Sequence, residues 1–339
     1  MIWVAWRQFR AQAIVAGAAL FVVAVVLAAT GPHLASLYER SGLAACSTSC
    51  ATAAGSFIAG TKGSATELIF YGGVFLLYAA PALIGLFWGA PLVAREFEAG
   101  TFRLAWNQSI SRARWMVAKL CLLGLGAMLT AGLLALMTSW WASPLYQAAQ
   151  KAGGQNALSI ARLAPPLFGA NGIAPIGYAA FAFALGVTAG VLFRRTLPAM
   201  AVTLVVFAAV QVLWPTMVRP HLIPPTRSTL ALAAVSFGSE GVQHDHQLIL
   251  QVASIPGSSW IVSSHAVTAA GQPATTVPPA CAALTSSFLP CLARHGIRMQ
   301  VSYQPASRYW AFQWLETGVF AVAALGLGGI CYWRIRRPG

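Results

Sequence analysis

The sequence predicts an all-α polytopic membrane protein with six transmembrane helices, an N-terminal interfacial helix, and a small mixed α+β external domain between helices five and six. Three observations lead there. Of 339 residues, 58% are hydrophobic and only 8% charged; soluble domains carry roughly 25% charge, so this chain cannot clothe a water-facing surface of its size. Six apolar runs come close to or exceed the roughly 20 residues that cross a bilayer as a helix. One long stretch, 215–309, holds no such run and is long enough to fold by itself.

Within 1–10, Ile2, Trp3, Trp6 and Phe9 share one helical face while Arg7, Gln8 and Arg10 lie toward the other, the pattern of a helix lying in the membrane interface. The first uncharged run, 11–30, is longer than the about 7–15 apolar residues of a signal peptide, so it reads as a retained span. The remaining runs are 68–93, 115–141, Ala174–Phe193, 197–214 and 310–333. Trp115, Trp140, Trp141, Trp214, Trp310 and Trp333 stand at their ends, where an amphipathic ring is favoured. The chain thus divides into 1–10, then 11–214 with a charged connecting segment at 95–114, then 215–309, and 310–339 with the sixth span and a basic tail.

An excess of 21 Lys and Arg over 7 Asp and Glu gives +14. In a soluble chain that would suggest nucleic acid; in this one the placement explains it. Arg7, Arg10, Arg95, Arg103, Arg112, Arg114, Lys119, Arg194, Arg195, Arg334, Arg336 and Arg337 all fall in the short segments on the side shared by the termini. The other cations are spread several-fold more thinly over the longer segments, which reads as cytoplasmic termini in a cell membrane. The bilayer, and no nucleic acid, is the implied surrounding.

Segments 31–67, 142–173 and 215–309 are external in this topology. In the last, Ile297, Met299, Val301 and Tyr303 alternate with Arg298, Gln300 and Ser302, the period of a half-buried strand. Segments 247–252 and 260–267 are weaker strand candidates, and 280–295 has room for a short helix. Cys46, Cys50, Cys281 and Cys291 are external, which suggests disulfides Cys46–Cys50 and Cys281–Cys291, although four cysteines allow three pairings. Cys121 and Cys331 fall in spans as small apolar packers. No internal repeat points to an inverted-repeat carrier.

The most charge-dense stretch runs from Arg95 through Lys119 and frames Phe102, Leu104 and Trp106 with ionic groups of both signs. From composition alone, a docking surface and a solvated loop whose arginines enforce topology weigh evenly. Within and around it, Gly89-Ala90-Pro91-Leu92-Val93-Ala94-Arg95-Glu96, then Gly100-Thr101, Gln108-Ser109 and the residues from Arg112 to Lys119, resemble the cytoplasmic loop of type 2 ABC exporter permeases, and more narrowly an actinobacterial single-permease group. Trp6-Arg7-Gln8, the stretch Leu192-Phe193-Arg194-Arg195-Thr196-Leu197-Pro198-Ala199-Met200 and the stretch Tyr303-Gln304-Pro305-Ala306-Ser307-Arg308-Tyr309-Trp310 extend the resemblance along the chain; the external segments match poorly.

The resemblance implies a permease that pairs with a second copy of itself and docks two copies of a separate ATPase subunit. Arg95, Glu96, Glu98, Gly100, Thr101, Arg103 and Arg112 would lie on or beside the first coupling contact, with Arg194 and Arg195 in the second. It also implies that 215–309 caps the exit of the transport path. No G-x-x-x-x-G-K-[ST] motif occurs, so the chain is expected to hold no cofactor, and ATP and Mg would be bound by the partner.

A polar group in the membrane is a functional candidate by default. Glu316, in the outer half of the sixth span, either faces a cavity, there to bind a cationic substrate group or carry a proton, pairs with a neighbouring span or snorkels outward. On the second span Phe70, Tyr71, Phe75 and Tyr78, and on the fifth Thr203, Phe207 and Gln211, are at helical spacing; in similar exporters these spans line the central cavity, so they are substrate-path candidates, with ordinary packing as the commoner explanation. Pro81, flanked by Gly72, Gly73, Gly85 and Gly89, permits a kink or close helix approach. His244-Asp245-His246 lacks the ligand number of a zinc site, so no metal is expected.

The function this predicts is export of an apolar small molecule, drug or antibiotic by alternating access. A sensor or immunity protein on the same scaffold is the alternative. A membrane enzyme is disfavoured because no span holds a histidine or aspartate.

Overall fold

The computed structural model describes residues 2–48, 50–98, 112–152, 162–243, 247–255, 260–282 and 287–336. Six helices long and apolar enough to cross a membrane dominate it, at Arg10–Arg40, Ala65–Glu98, Met116–Trp141, Ala174–Phe193, Thr196–Leu222 and Ala306–Arg334. They coincide with the six apolar runs. Six crossings return the C-terminus to the side of the N-terminus, here called the terminus side; the strands lie on the opposite, sheet side.

Helix α1 (Ile2–Arg40) is continuous, so no break in the backbone marks the expected boundary at residue 10. It also runs past Thr30 through Pro32 to Arg40, where Leu34 and Tyr38 are buried in an apolar cluster. Helices α2 (Ala51–Thr61), α6 (Ser143–Lys151) and α7 (Pro165–Phe168) occupy segments in which no helix is anticipated from the sequence. Leu145, Tyr146 and Ala148 of α6 pack with Phe57 and Ile58 of α2 and with Leu34 and Tyr38 of α1 into one apolar cluster. The Lys151 ammonium donates to the carbonyls of Leu43 and Cys46 at 2.5 and 3.2 Å, tying α6 to the loop after α1.

The second span is α3 (Ala65–Ile84), a π-helical turn Gly85–Gly89, and α4 (Ala90–Glu98). The third is α5 (Arg112–Trp141), the fourth α8 (Ala174–Phe193), the fifth α9 (Thr196–Leu213) continued by a π-helical turn Trp214–Val218 and α10 (Arg219–Leu222), and the sixth α12 (Tyr309–Arg336). Helix α8 is the hub, with 67% of its apolar window buried against 6% for the first span. Its small residues make that burial feasible: a Cβ on Gly186 would lie 2.3 Å from the Gly85 carbonyl oxygen, and one on Gly85 2.6 Å from the Ala182 carbonyl oxygen. Backbone therefore meets backbone at this crossing. The π-helical turn at that level is an extra-residue irregularity of the kind found at functional bends.

Many span side chains facing outward are apolar, among them Ile14, Phe21, Phe75, Leu129, Val205 and Leu325. Such a surface is stable only when a bilayer or another apolar surface covers it, and the chain is a multi-pass membrane protein.

On the sheet side, β1 (Thr226–Leu230), β5 (Arg298–Gln304) and β4 (Trp260–Val267) form an antiparallel sheet in the order β1-β5-β4, and β2 (Ser236–Gln243) pairs with β3 (Gln247–Ser254). Helix α11 (Phe288–Arg294) closes a core of Leu232, Val277, Leu292, Met299 and Val301, among others. The expected strands at 247–252, 260–267 and 297–303 are β3, β4 and β5. The alternation in β5 lasts only to Val301; Ser302 and Gln304 are buried while Tyr303 is half-buried. The shift falls opposite an irregularity in β4 between Ile261 and Ser263, beyond which the strand packs toward the spans. Both expected disulfides, Cys46–Cys50 and Cys281–Cys291, are present on this side.

Candidate functional site

Two polar assemblies stand out, one at each end of the α8 hub. On the terminus side, the glycine crossing lets α4 run close beside the end of α8. Helix α8 ends at Arg194, which takes a left-handed conformation (φ 54°) with its N–H donated to the Gly190 carbonyl at 3.1 Å. That conformation is costly for a residue with a Cβ and turns the chain sharply. Helix α9 starts two residues later, so its N-terminus faces the end of α4. There Glu98 accepts from the Thr196 N–H at 2.9 Å and from the Thr196 hydroxyl at 2.6 Å. A carboxylate on the first N–H groups of a helix satisfies orphan donors and meets the positive end of the helix dipole.

Two residues earlier Glu96 pairs with Lys119 of α5 at 2.5 Å, with only 18% and 5% of the two side chains exposed. The Arg194 guanidinium lies 5.6 Å from the centre of the Phe97 ring. Arg95 and Arg195 are exposed. The third, fourth and fifth spans are thus joined through three consecutive residues of α4, Glu96, Phe97 and Glu98.

On the sheet side, Arg219 of α10 and Glu316 of α12 form a buried ion pair: Nε to Oε2 and Nη2 to Oε1, both 2.8 Å, with side-chain exposure of 1% and 0%. The Tyr178 hydroxyl of α8 donates to Glu316. Arg219 also donates to the Pro165 carbonyl at 3.3 Å and stacks 4.4 Å from the centre of the Phe168 ring. The Tyr78 hydroxyl of α3 reaches the same carbonyl at 3.3 Å. A turn away, Gln313 caps α8: its Oε1 accepts from Ile173 and Ala174 at 3.0 and 2.8 Å, and its Nε2 donates to the Asn171 carbonyl at 3.0 Å. Gly172 (φ +65°) permits this approach, since a Cβ there would lie 2.8 Å from the Gln313 amide. Fully paired, the charges escape much of the penalty of sitting near hydrocarbon.

The model of a family described as ABC-2 membrane transporter related matches residues 17–219. The chain belongs to that family. The match covers about three fifths of the sequence, from the first span to Arg219, and leaves the sheets and α12 outside it. No curated protein and no solved structure matches. The chain is therefore a membrane-spanning ABC transporter permease subunit, a transport component whose family implies an ATPase partner.

Of the coupling residues expected in this permease, the structure brings Arg95, Glu96 and Glu98 together with Arg194 and Arg195 on one face. Gly100, Thr101 and Arg103 lie outside the described residues, as do His244, Asp245 and His246. Arg112 opens α5.

The substrate-path candidates do not converge within one chain. Phe70 is buried against Tyr146, with ring centres 6.0 Å apart, and Phe207 against Phe181 at 6.5 Å. Thr203 is buried with its hydroxyl donated to the Ala199 carbonyl, whereas Tyr71 and Phe75 face outward. Gln211 is half-buried and its Nε2 has no hydrogen-bond partner among the described residues. Glu316 is fully buried against Arg219: of the three readings open in the sequence, pairing with a neighbouring segment is the one observed. Its partner, Arg219, escaped sequence reasoning because it follows Trp214 and was counted with the external cations. The signal available was arithmetic, a lone carboxylate in the sixth span that calls for a cation near the same depth.

Proposed function

We propose that the permease exports an apolar small molecule, a drug or antibiotic among them, by alternating access in a dimer of two copies, driven by two copies of a separate ATPase that binds ATP and Mg. The observation that carries this reading is the Glu98–Thr196 contact. It unites the two terminus-side connections, second-to-third span and fourth-to-fifth, into one face, so a push there moves α4, α8 and α9 together. Cytoplasmic termini follow from the basic residues, and two disulfides on the opposite side agree with an oxidising exterior. Tyr71 and Phe75, outward in one chain, would line the cavity between two copies.

The test is affinity purification of the tagged chain from its native membrane in mild detergent, with Arg95→Glu/Arg195→Glu in parallel. Both side chains are exposed, so the fold should survive their reversal. A Walker-type ATPase recovered with the parent and lost with the variant is the expected result. Recovery of none with either, even after crosslinking, overturns the docking assignment.

A further inference from the structure

A cleft of about 220 Å³ opens on the sheet side between α6, the segment from Arg162, and the turn Ala306–Arg308 that leads into α12. Tyr146, Gln150, Arg162, Ser307, Tyr309 and Trp310 line it. Its depth is set by its walls: α6 follows the end of the third span at Trp141, and Tyr309 and Trp310 begin the sixth. The cleft therefore sits at the boundary of the hydrocarbon, with Trp310, 57% exposed, at its rim.

Its chemistry is lopsided. Among the described residues, Arg162 is the one charged residue lining it. The guanidinium lies over the Tyr146 ring, 4.7 Å from its centre, and its Nε is buried with no hydrogen-bond acceptor among the described residues. Among the described residues no carboxylate pairs with it. Burial pushes the Tyr146 phenol up to about 12, so that group stays neutral and adds no charge. A buried guanidinium N–H without an acceptor is expensive, and its planar fork matches the oxygens of a phosphate. Gln150 and Ser307 offer further donors, and the three aromatic rings offer an apolar wall on the side toward the bilayer.

We propose that this cleft binds the headgroup of an anionic membrane phospholipid, with its phosphate on Arg162 and its first acyl carbons against Trp310. The site is independent of ATPase docking, which lies at the other end of the spans. Its role is to hold the base of the sheet region, through the turn before α12, at a fixed depth against α6.

The experiment is native mass spectrometry of the delipidated full-length protein titrated with dioleoyl phosphatidylglycerol, with glycerol phosphate as the free-phosphate arm and dioleoylglycerol as the uncharged lipid arm. Phosphatidylglycerol should bind the parent, and about tenfold or more weaker to Arg162→Gln, the loss expected for a charge-assisted hydrogen bond. Arg162→Lys should retain part of the affinity, and Arg227→Gln, an exposed arginine of β1, all of it. Trp310→Ala, at the rim, should weaken binding with Arg162 still in place, which covers the case in which Arg162→Gln fails to fold. Unchanged affinity in both Arg162→Gln and Trp310→Ala overturns the proposal. So does dioleoylglycerol binding as tightly as phosphatidylglycerol, which would mean ordinary lipid contact, or glycerol phosphate matching it, which would mean a free-anion site.

Discussion

Removing one member of the Arg219–Glu316 pair should cost far more than removing both. With the charges about 4 Å apart and an effective dielectric of about 20, their attraction is about 4 kcal/mol. Arg219→Met deletes that attraction and leaves Glu316, fully buried, with the Tyr178 hydroxyl as its remaining partner. The expected destabilisation is about 3–5 kcal/mol, the usual cost of stranding a buried charge. Glu316→Leu strands Arg219 in turn, softened by the Pro165 carbonyl and the Phe168 ring, so about 3 kcal/mol is expected. The double variant Arg219→Met/Glu316→Leu removes both desolvation penalties and fills the space with apolar atoms. It should return to within about 1–2 kcal/mol of the parent, giving a coupling energy of more than about 2 kcal/mol. The assay is reversible unfolding in mixed micelles followed by tryptophan fluorescence, for the parent, both single variants and the double. Additive single costs would refute the reasoning, because they would mean that the two side chains contribute independently.

Gly186→Val should destabilise by more than about 2 kcal/mol, since its Cβ meets backbone at 2.3 Å, whereas Gly326→Ala, with nothing within 4 Å, should be neutral; unfolding midpoints compare them. Thr196→Val keeps the N–H bond to Glu98 but loses the hydroxyl, and hydrogen exchange should rise selectively in the first turn of α9. Arg194→Gly should leave stability equal or improved, as glycine suits φ 54°, while removing the cation over Phe97; thermal unfolding checks this. Reducing Cys281–Cys291, which closes a 10-residue separation, should weaken the sheet region by about 3 kcal/mol, and alkylation followed by mass spectrometry should label both thiols only after reductant.

The spans were legible because length and hydrophobicity decide them almost alone: the run from Ala174 to Phe193 is the helix itself. Strand β5 was legible while its residues alternated, and ceased to be at Ser302, where the strand packs toward the spans as well as its own core. Strands β1 and β2 escaped notice because Thr-Arg-Ser-Thr-Leu and the glycine-bearing second strand carry little hydrophobic period; pairing with β5 and β3 supplies what local sequence does not. Helix α6 was hidden in the same way, amphipathic over only nine residues. On the terminus side, the residues of the two connections could be named from resemblance, but not that Glu98 and Thr196 touch. That contact depends on backbone approach at Gly85 and Gly186, a three-dimensional fact with only a compositional trace. Arg219 was misplaced because charge is ordinarily read as a mark of solvent, and here it is held dry by a partner almost a hundred residues away.

The terminus-side segments contain two carboxylates, Glu96 and Glu98. The structure engages both, Glu96 with Lys119 and the exposed Glu98 with the start of α9. Every other charged side chain the sequence puts on that side is an arginine. A protein that settles on this face thus meets several exposed arginines and one exposed carboxylate whose oxygens already serve Thr196, so the acids that match the arginines are its own to bring. The two glutamates brace the helices, and the choice of which proteins approach passes to the acidic groups of the visitor.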